Sequence, residues 1–415
     1  MSYFTKIAYE DSGSLDAFSR LRTSQPETLL DIQQQYDQEP YELEMGATGS
    51  GVVPTYNTNT RMSTLSTTGA TGTSYIQSYM YTPYEPGKSQ FIAITGVLGT
   101  GVEGTTKDFG YFDSANGVIF RQSDTSLQLI LRTSTSGVVS DSNLVNQANW
   151  NIDTLDGGLN PSGKIFDVTK VFILIIDLQF LGMGRVRVGF DIDGVIYYVH
   201  EFLNANNLTV PYMQSATLPI GILITATAGV GTSSCGFKCC VVQCEGGKIA
   251  NNGFVLSTPE ETVTAGNATR VPLISIRPKT TFKGIINRSL FILENMNLFV
   301  TGTMDIYWEL VLGATITGQV WADISTGNSS FEYTSTSGTF VNLTGGTIIA
   351  SGYNSRIGGT NNGTPIATPA IQSFHYPISL NRAGEVRPLG TLSLLVTGLS
   401  ATSACRGSVN FKEIR

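Results

Sequence analysis

Charge is scarce in this chain. Asp, Glu, Lys and Arg together make up 14% of its 415 residues, where roughly a quarter is usual. At a net charge of −7 there is no electrostatic case for nucleic-acid binding. Histidine is rarer still, with only His200 and His375 present. A nucleophilic triad needs a histidine between a Ser or Cys and an orienting carboxylate. No G-x-S-x-G accompanies these two, and His200, in the strand-like run Tyr197–Glu201, reads as structural. No apolar run approaches the roughly 18 residues of a membrane span. The N-terminal MSYFTKIAYEDSGSLD lacks a basic n-region and an apolar h-region, so cytosolic synthesis is expected. Under that expectation, sequons such as Asn267-Ala-Thr269 and Asn342-Leu-Thr344 are chance matches in a Thr-rich chain.

What is present points to β structure. Hydrophobic residues make up 41%, Gly numbers 45, and Ser and Thr are frequent. Few helix formers and many β-branched residues favour strands. The length is enough for two or three domains with real cores. The organising stretch is Lys170–Phe202. It opens on the apolar run Val171–Ile176, alternates, and turns at Asp193-Gly194. Asp-Gly between alternating runs is a strong hairpin signal, because both central positions of a type I′ turn need φ > 0. Val186, Val188, Phe190 and Ile192 share one face, and Arg185, Arg187 and Asp191 share the other, as in a half-buried antiparallel sheet.

Residues 1–50 form a more polar N-terminal arm. The spacing predicts a helix there. Pro26 follows a Ser24 or Gln25 cap, and Leu29, Leu30, Gln33 and Tyr36 come after it. Such a segment either packs on its own domain or docks on a neighbouring subunit through Phe18, Arg20, Leu21, Arg22, Leu29, Leu30 and Tyr36. Residues 51–247 then read as one β-sandwich, with strands at Gly51–Tyr56, Arg61–Leu65, Ser74–Tyr81, Gln90–Val97, Phe109–Asp113, Gly117–Gln122, Ser126–Thr133, Leu218–Ala226 and Gly236–Glu245 beside the hairpin. The Gly- and Asn-rich GGKIANNG after Glu245 closes this domain. Residues 254–415 read as a second β-sandwich domain, in which Pro259, Pro272 and Pro278 confine the early runs to edges or ends. Asn354–Ala370 reads as a long surface loop. The fold class expected is all-β, with two antiparallel jelly-roll-like sandwiches and an extended or partly helical arm.

Candidate chemistry is thin. Cys235, Cys239, Cys240 and Cys244 are interleaved with Phe237, Val241 and Val242. On a flat strand Cys235 and Cys239 would face one way and Cys240 and Cys244 the other, so buried free thiols are the reading preferred over a metal site or a disulfide. Gly158–Ile165 nearly matches a phosphate loop, but Ile165 stands where the magnesium-binding hydroxyl should be. Asp191-Ile-Asp193-Gly194 starts like a calcium loop without its twelfth-position Glu. Asp177, Asp191, Asp193 and Glu201 could supply paired carboxylates for glycoside chemistry, but no motif selects a pair. No catalytic, cofactor-binding or metal-binding residue is assigned. Among the 40 aromatics, Tyr79, Tyr81, Tyr84, Tyr197 and Tyr198 fit a core, a subunit contact or a sugar-binding surface. Arg185 and Arg187 are further contact candidates.

An ordered set of phrases carries a resemblance. It runs Asp16-Ala-Phe-Ser-Arg-Leu-Arg-Thr-Ser-Gln-Pro26, Tyr84-Glu-Pro-Gly-Lys-Ser-Gln90, Gly110-Tyr-Phe-Asp113, Trp150-Asn-Ile-Asp153 with Leu155-Asp-Gly157, Leu181-Gly-Met-Gly-Arg-Val-Arg187, His200-Glu-Phe202 with Asn204-Ala-Asn206, and Tyr212-Met213 ahead of Leu218-Pro219. The set spans roughly residues 10–250 and resembles a family of virion structural proteins of tailed bacteriophages. The resemblance implies a concanavalin-like sandwich in a particle component of the head, neck or tail. It also implies localisation to the virion, other virion proteins and further copies of the chain as partners, and no catalytic residues. Host-surface glycan is the alternative ligand, with a polysaccharide-degrading enzyme behind it.

Overall fold

The structure, a computed structural model, describes residues 15–18, 21–22, 25–158, 162–247, 253–335, 342–355 and 378–415. Arg20, Ser24, Pro161, His375 and most of the Asn354–Ala370 stretch and of the GGKIANNG linker lie outside the described residues. The chain divides into two compact units, Met1–Ala250 and Asn251–Arg415.

The described residues of the first unit form thirteen strands: β1 Glu27–Gln33, β2 Leu43–Asn57, β3 Met62–Ser78, β4 Ser89–Val97, β5 Thr105–Phe112, β6 Gly117–Ser123, β7 Ser126–Thr133, β8 Ser140–Asn146, β9 Val171–Leu178, β10 Val186–Ile192, β11 Val195–Phe202, β12 Ile220–Ala226 and β13 Ser233–Glu245. They form one sheet in the order β11-β10-β9-β4-β13-β3-β12-β5-β6-β7-β8, with β1 on β13 and β2 on β3. The sheet folds over on itself. Phe190 of β10 and Phe120 of β6 lie near opposite ends of that order, yet their rings meet edge-on at 4.9 Å. One core gathers Ile92, Leu174, Phe190, Phe109, Phe120 and Ile222 from both halves, the arrangement of a β-sandwich.

The helix expected from Pro26 is instead the edge strand β1, antiparallel to Cys239–Cys244. Its alternation buries Leu30 and Ile32 and exposes Asp31 and Gln33. A period of two on a hydrophobic face outweighs the proline-based helix signal. The runs at Arg61–Leu65 and Ser74–Tyr81 are the two ends of the single strand β3. The Asp193-Gly194 hairpin is as read: Ile192 pairs with Val195, and φ is +57° and +78° at the turn. A bulge at Lys238 interrupts the pairing of β13 with β4. This corrects the cysteine faces, because Cys235 and Cys240 enter the same core while Cys239 is half-buried. One extra residue reverses the alternation beyond it. Burial pushes the Cys235 thiol up to about 12.

In the second unit, Phe254–Ser257, Ser403–Ile414, Glu261–Ala265 and Leu290–Val300 form one sheet. Ala322–Asp323, Phe331–Ser335, Val271–Pro278, Leu392–Gly398, Ile306–Leu312 and Thr347–Asn354 form the other, in that order. Phe331 from the second sheet meets Phe291 of the first at 5.3 Å, so this unit is also a sandwich. The prolines do not put Val271–Pro278 at an edge. It lies between two partners, with Pro272 at a register shift and Pro278 as its last residue, where no ladder hydrogen is needed.

Candidate functional site

The functional candidates meet at one end of the first unit, around the turn between β9 and β10. The first feature there is a buried ionic clasp. Asp177 of β9 and Arg187 of β10 are direct cross-strand partners, and both side chains are 0% exposed. Arg187 Nη2 donates to Asp177 Oδ2 at 2.8 Å and to the carbonyl of Leu15 at 2.7 Å. Arg22 Nη2 reaches Asp177 Oδ1 at 2.6 Å, and the Tyr198 hydroxyl also donates to Asp177. The Arg187 guanidinium lies 4.2 Å from the Tyr198 ring centroid. Burial, then the Asp177 charge, pushes the Tyr198 phenol up, so it stays a donor. Glu245, at the end of β13, pairs with Arg22 Nε at 3.1 Å. Burial raises its carboxyl to about 7 against the pull of Arg22. Arg185 adds a bond to the Ala17 carbonyl at 3.3 Å and faces Glu201 at 3.4 Å.

These contacts hold residues 15–18 and 21–22 on the outer face of the hairpin, which corrects the half-buried reading of that face. The hairpin's polar side is covered too, by the chain's own N-terminal segment. The arm candidate Arg22 and the contact candidates Arg187 and Tyr198 thus meet at Asp177, while Arg185 binds the Ala17 carbonyl. The other candidates are spread. Leu30 and Tyr81 are buried, Leu21 and Tyr36 are exposed, and Leu29 and Tyr197 pack on the rim of the core. The Phe18 amide bonds Asp16.

Beside the clasp is an open cleft of about 660 Å³. Tyr84, Phe180, Leu181, Val210, Pro211 and Gln214 are among its walls. The aromatic wall is rigid, because Phe180 stacks edge-on with Tyr84 at 5.4 Å and with Tyr212 at 5.5 Å. The Leu181 amide donates to the Tyr84 hydroxyl at 3.2 Å. Leu181 has φ +42° and Gly182 +78°, which turns Leu181 outward at 55% exposure, with Val210 at 52%. Gln214 is fixed by bonds to Asn116 and Ser134. Tyr84 was legible as a candidate. Phe180, Leu181 and Val210 were not singled out, although the apolar Phe180-Leu181 pair ahead of two glycines is a visible signal for an exposed apolar turn.

The remaining motifs resolve into structure. Asp191 accepts from the Gly194 amide at 3.0 Å, and Asp193 pairs with Lys164 at 2.9 Å. With Asp177 and Glu201 already bound to arginines, each of the four acidic candidates has a local partner. Near the phosphate-loop match, the Phe166 amide bonds the Leu155 carbonyl at 2.9 Å, and β9 follows rather than a helix. His200 Nδ1 accepts from the Asn151 amide at 3.1 Å, and burial pulls its imidazole down to about 4. Among the described residues no group of three His, Cys, Asp or Glu could hold a metal ion, and no helix is long and apolar enough to cross a membrane.

No family model matches the chain, and no curated protein matches it. It is similar to several solved structures. A carbohydrate esterase from the Shiga toxin-encoding bacteriophage phi24B is 8% identical at a TM-score of 0.31, over 53% of this chain and 99% of that one. The CBM2 module of the evolved Dit of Lactobacillus casei BL23 phage J-1 is 9% identical at 0.33, over 54% and 98%. Lectin I-B4 from Griffonia simplicifolia is 9% identical at 0.30, over 52% and 99%. Phage-derived proteins and a lectin are therefore among the folds this chain is similar to.

Proposed function

We propose that the chain is a non-enzymatic structural component of a tailed-phage particle, attached through the loop end of its first unit. The observation that carries this reading is the exposed apolar wall of the Tyr84–Phe180 cleft, where Leu181 and Val210 stand in solvent. Exposed apolar side chains beside packed aromatic rings suit a macromolecular partner. The phage-like phrases support it, because they converge on this end. The Ala17 amide meets Ser89 at 3.4 Å, Asn204 holds the Gly184 carbonyl at 2.7 Å, and Asn151 pairs with the Glu201 backbone at 2.9 and 3.0 Å. They build the platform on which the wall stands. The test is a Leu181→Asp/Val210→Asp double variant supplied during particle production. An unchanged melt with loss from purified particles is expected, and incorporation at the normal copy number would refute this attachment surface.

A second reading, recognition of host-surface glycan, is favoured by the tyrosine-bearing wall of the same cleft. Tyrosine offers an apolar ring face and a polar tip together. Tyr84→Ala should then abolish cell binding by the purified chain, and undiminished binding would exclude the cleft as its site.

A further inference from the structure

The outer face of the six-stranded sheet in the second unit is divided in two. One half lies under the two-stranded sheet Thr315–Thr317/Asn342–Thr344, whose Ile316 and Leu343 pack on Val311, Ala314 and Leu395. The other half carries Tyr307 and Tyr353. These two are direct cross-strand partners, with ring centroids 5.1 Å apart and planes at 46°. Tyr353 is 67% exposed. Beneath them Trp308 faces the core against Gly352, where an added Cβ would come within 2.8 Å of the indole. The two strands are thereby held close, and the tyrosines stand on a fixed base.

Two of the neighbouring positions across the sheet are polar. Thr397 is the partner of Tyr307 on its other side, and Ser351 is the partner of Glu309. Arg270 Nε donates to Glu309 Oε2 at 2.6 Å, with Glu309 almost buried and Arg270 38% exposed. The carboxylate fixes the guanidinium and compensates its charge, leaving planar donors on a face that is locally neutral. Two ring faces joined to hydroxyls and a neutralised guanidinium match a pyranose, which presents C–H groups to an aromatic face and hydroxyls at its edge. An aliphatic protein hot spot would want apolar neighbours in place of Ser351 and Thr397.

We propose that this face binds a neutral hexose polymer, with Tyr307 and Tyr353 as the ring platform and Arg270, held by Glu309, as a hydroxyl donor. The site is separate from the first-unit cleft and stands whether or not that cleft binds glycan. The full chain is tested by affinity electrophoresis in gels containing galactomannan, mannan or mixed-linkage β-glucan, and on an array of bacterial surface polysaccharides. At least one neutral polymer should retard the chain. Tyr353→Ala and Tyr307→Ala should each weaken that retardation at least tenfold with the melt unchanged, while Val138→Ala, at an exposed side chain of the first unit, leaves it intact. Retardation by none of the neutral polymers, binding to anionic polysaccharide alone, or retardation of the two platform variants as strong as that of the unsubstituted chain would each overturn the assignment. Loss of binding in Tyr84→Ala alone would place the sugar in the first-unit cleft and overturn it too.

Discussion

At the scale of single residues, the decisive choice is burial of charge. Asp177 and Arg187 are fully enclosed, and such a pair holds only while each charge keeps its partners. Asp177→Asn leaves two guanidiniums facing a neutral amide, so a loss of about 3 kcal/mol in urea unfolding is expected. A change within about 0.5 kcal/mol, the range of ordinary surface substitutions, would mean the clasp adds little. Two titrations bound the stable pH range. His200 is held down at about 4 by burial, below its unfolded value near 6.5. Its contribution is present above pH 6.5 and is lost as pH falls toward 4. Glu245 runs the other way. Its folded value of about 7 lies above the ordinary glutamate range, so its contribution is present at low pH and lost as pH rises through 7. Glu245→Gln should remove the decline between about pH 4.5 and 7, measured as the pH dependence of the melting temperature. A wild-type slope that persists in this variant would assign it to another group.

At the scale of elements, the sequence was most legible where one period ruled a strand. Val186, Val188 and Phe190 alternate, and all three are buried in the core. Asp193-Gly194 marked its turn unaided. Legibility failed where a distant partner decided the outcome. Nothing near Pro26 announces that Glu27–Gln33 will lie along Cys239–Cys244. Nor does the alternation around Arg187 announce that its polar face will be covered by Leu15 and Arg22. The bulge at Lys238 is equally silent in the sequence, and it alone reassigns the cysteine faces. Two glycines separate local from tertiary constraint. Gly194 has φ +78° and open space around its Cα, so Gly194→Ala should cost only backbone strain, about 1 kcal/mol. At Gly110 an added Cβ would lie 2.1 Å from the Val118 carbonyl. Gly110→Ala must force β5 from β6, and a cost of about 3 kcal/mol is expected by chemical denaturation. Equal costs at the two sites would contradict the close approach of those strands.

At the scale of the whole molecule, each of the two units closes its own core. Little of the candidate site could be read as a site beforehand. Tyr84, Arg185 and Arg187 were visible as residue types, but a cleft is made by which loops meet, and Phe180, Val210 and Gln214 meet only in the folded unit. On the function proposed above, this end of the first unit is built to be assembled. Electron cryomicroscopy of the purified particle tests that claim most directly. The expected result is multi-copy density for this chain, with Leu181 and Val210 buried against a neighbouring protein. Absence of the chain from the particle, or a cleft wall facing solvent in every copy, would contradict it.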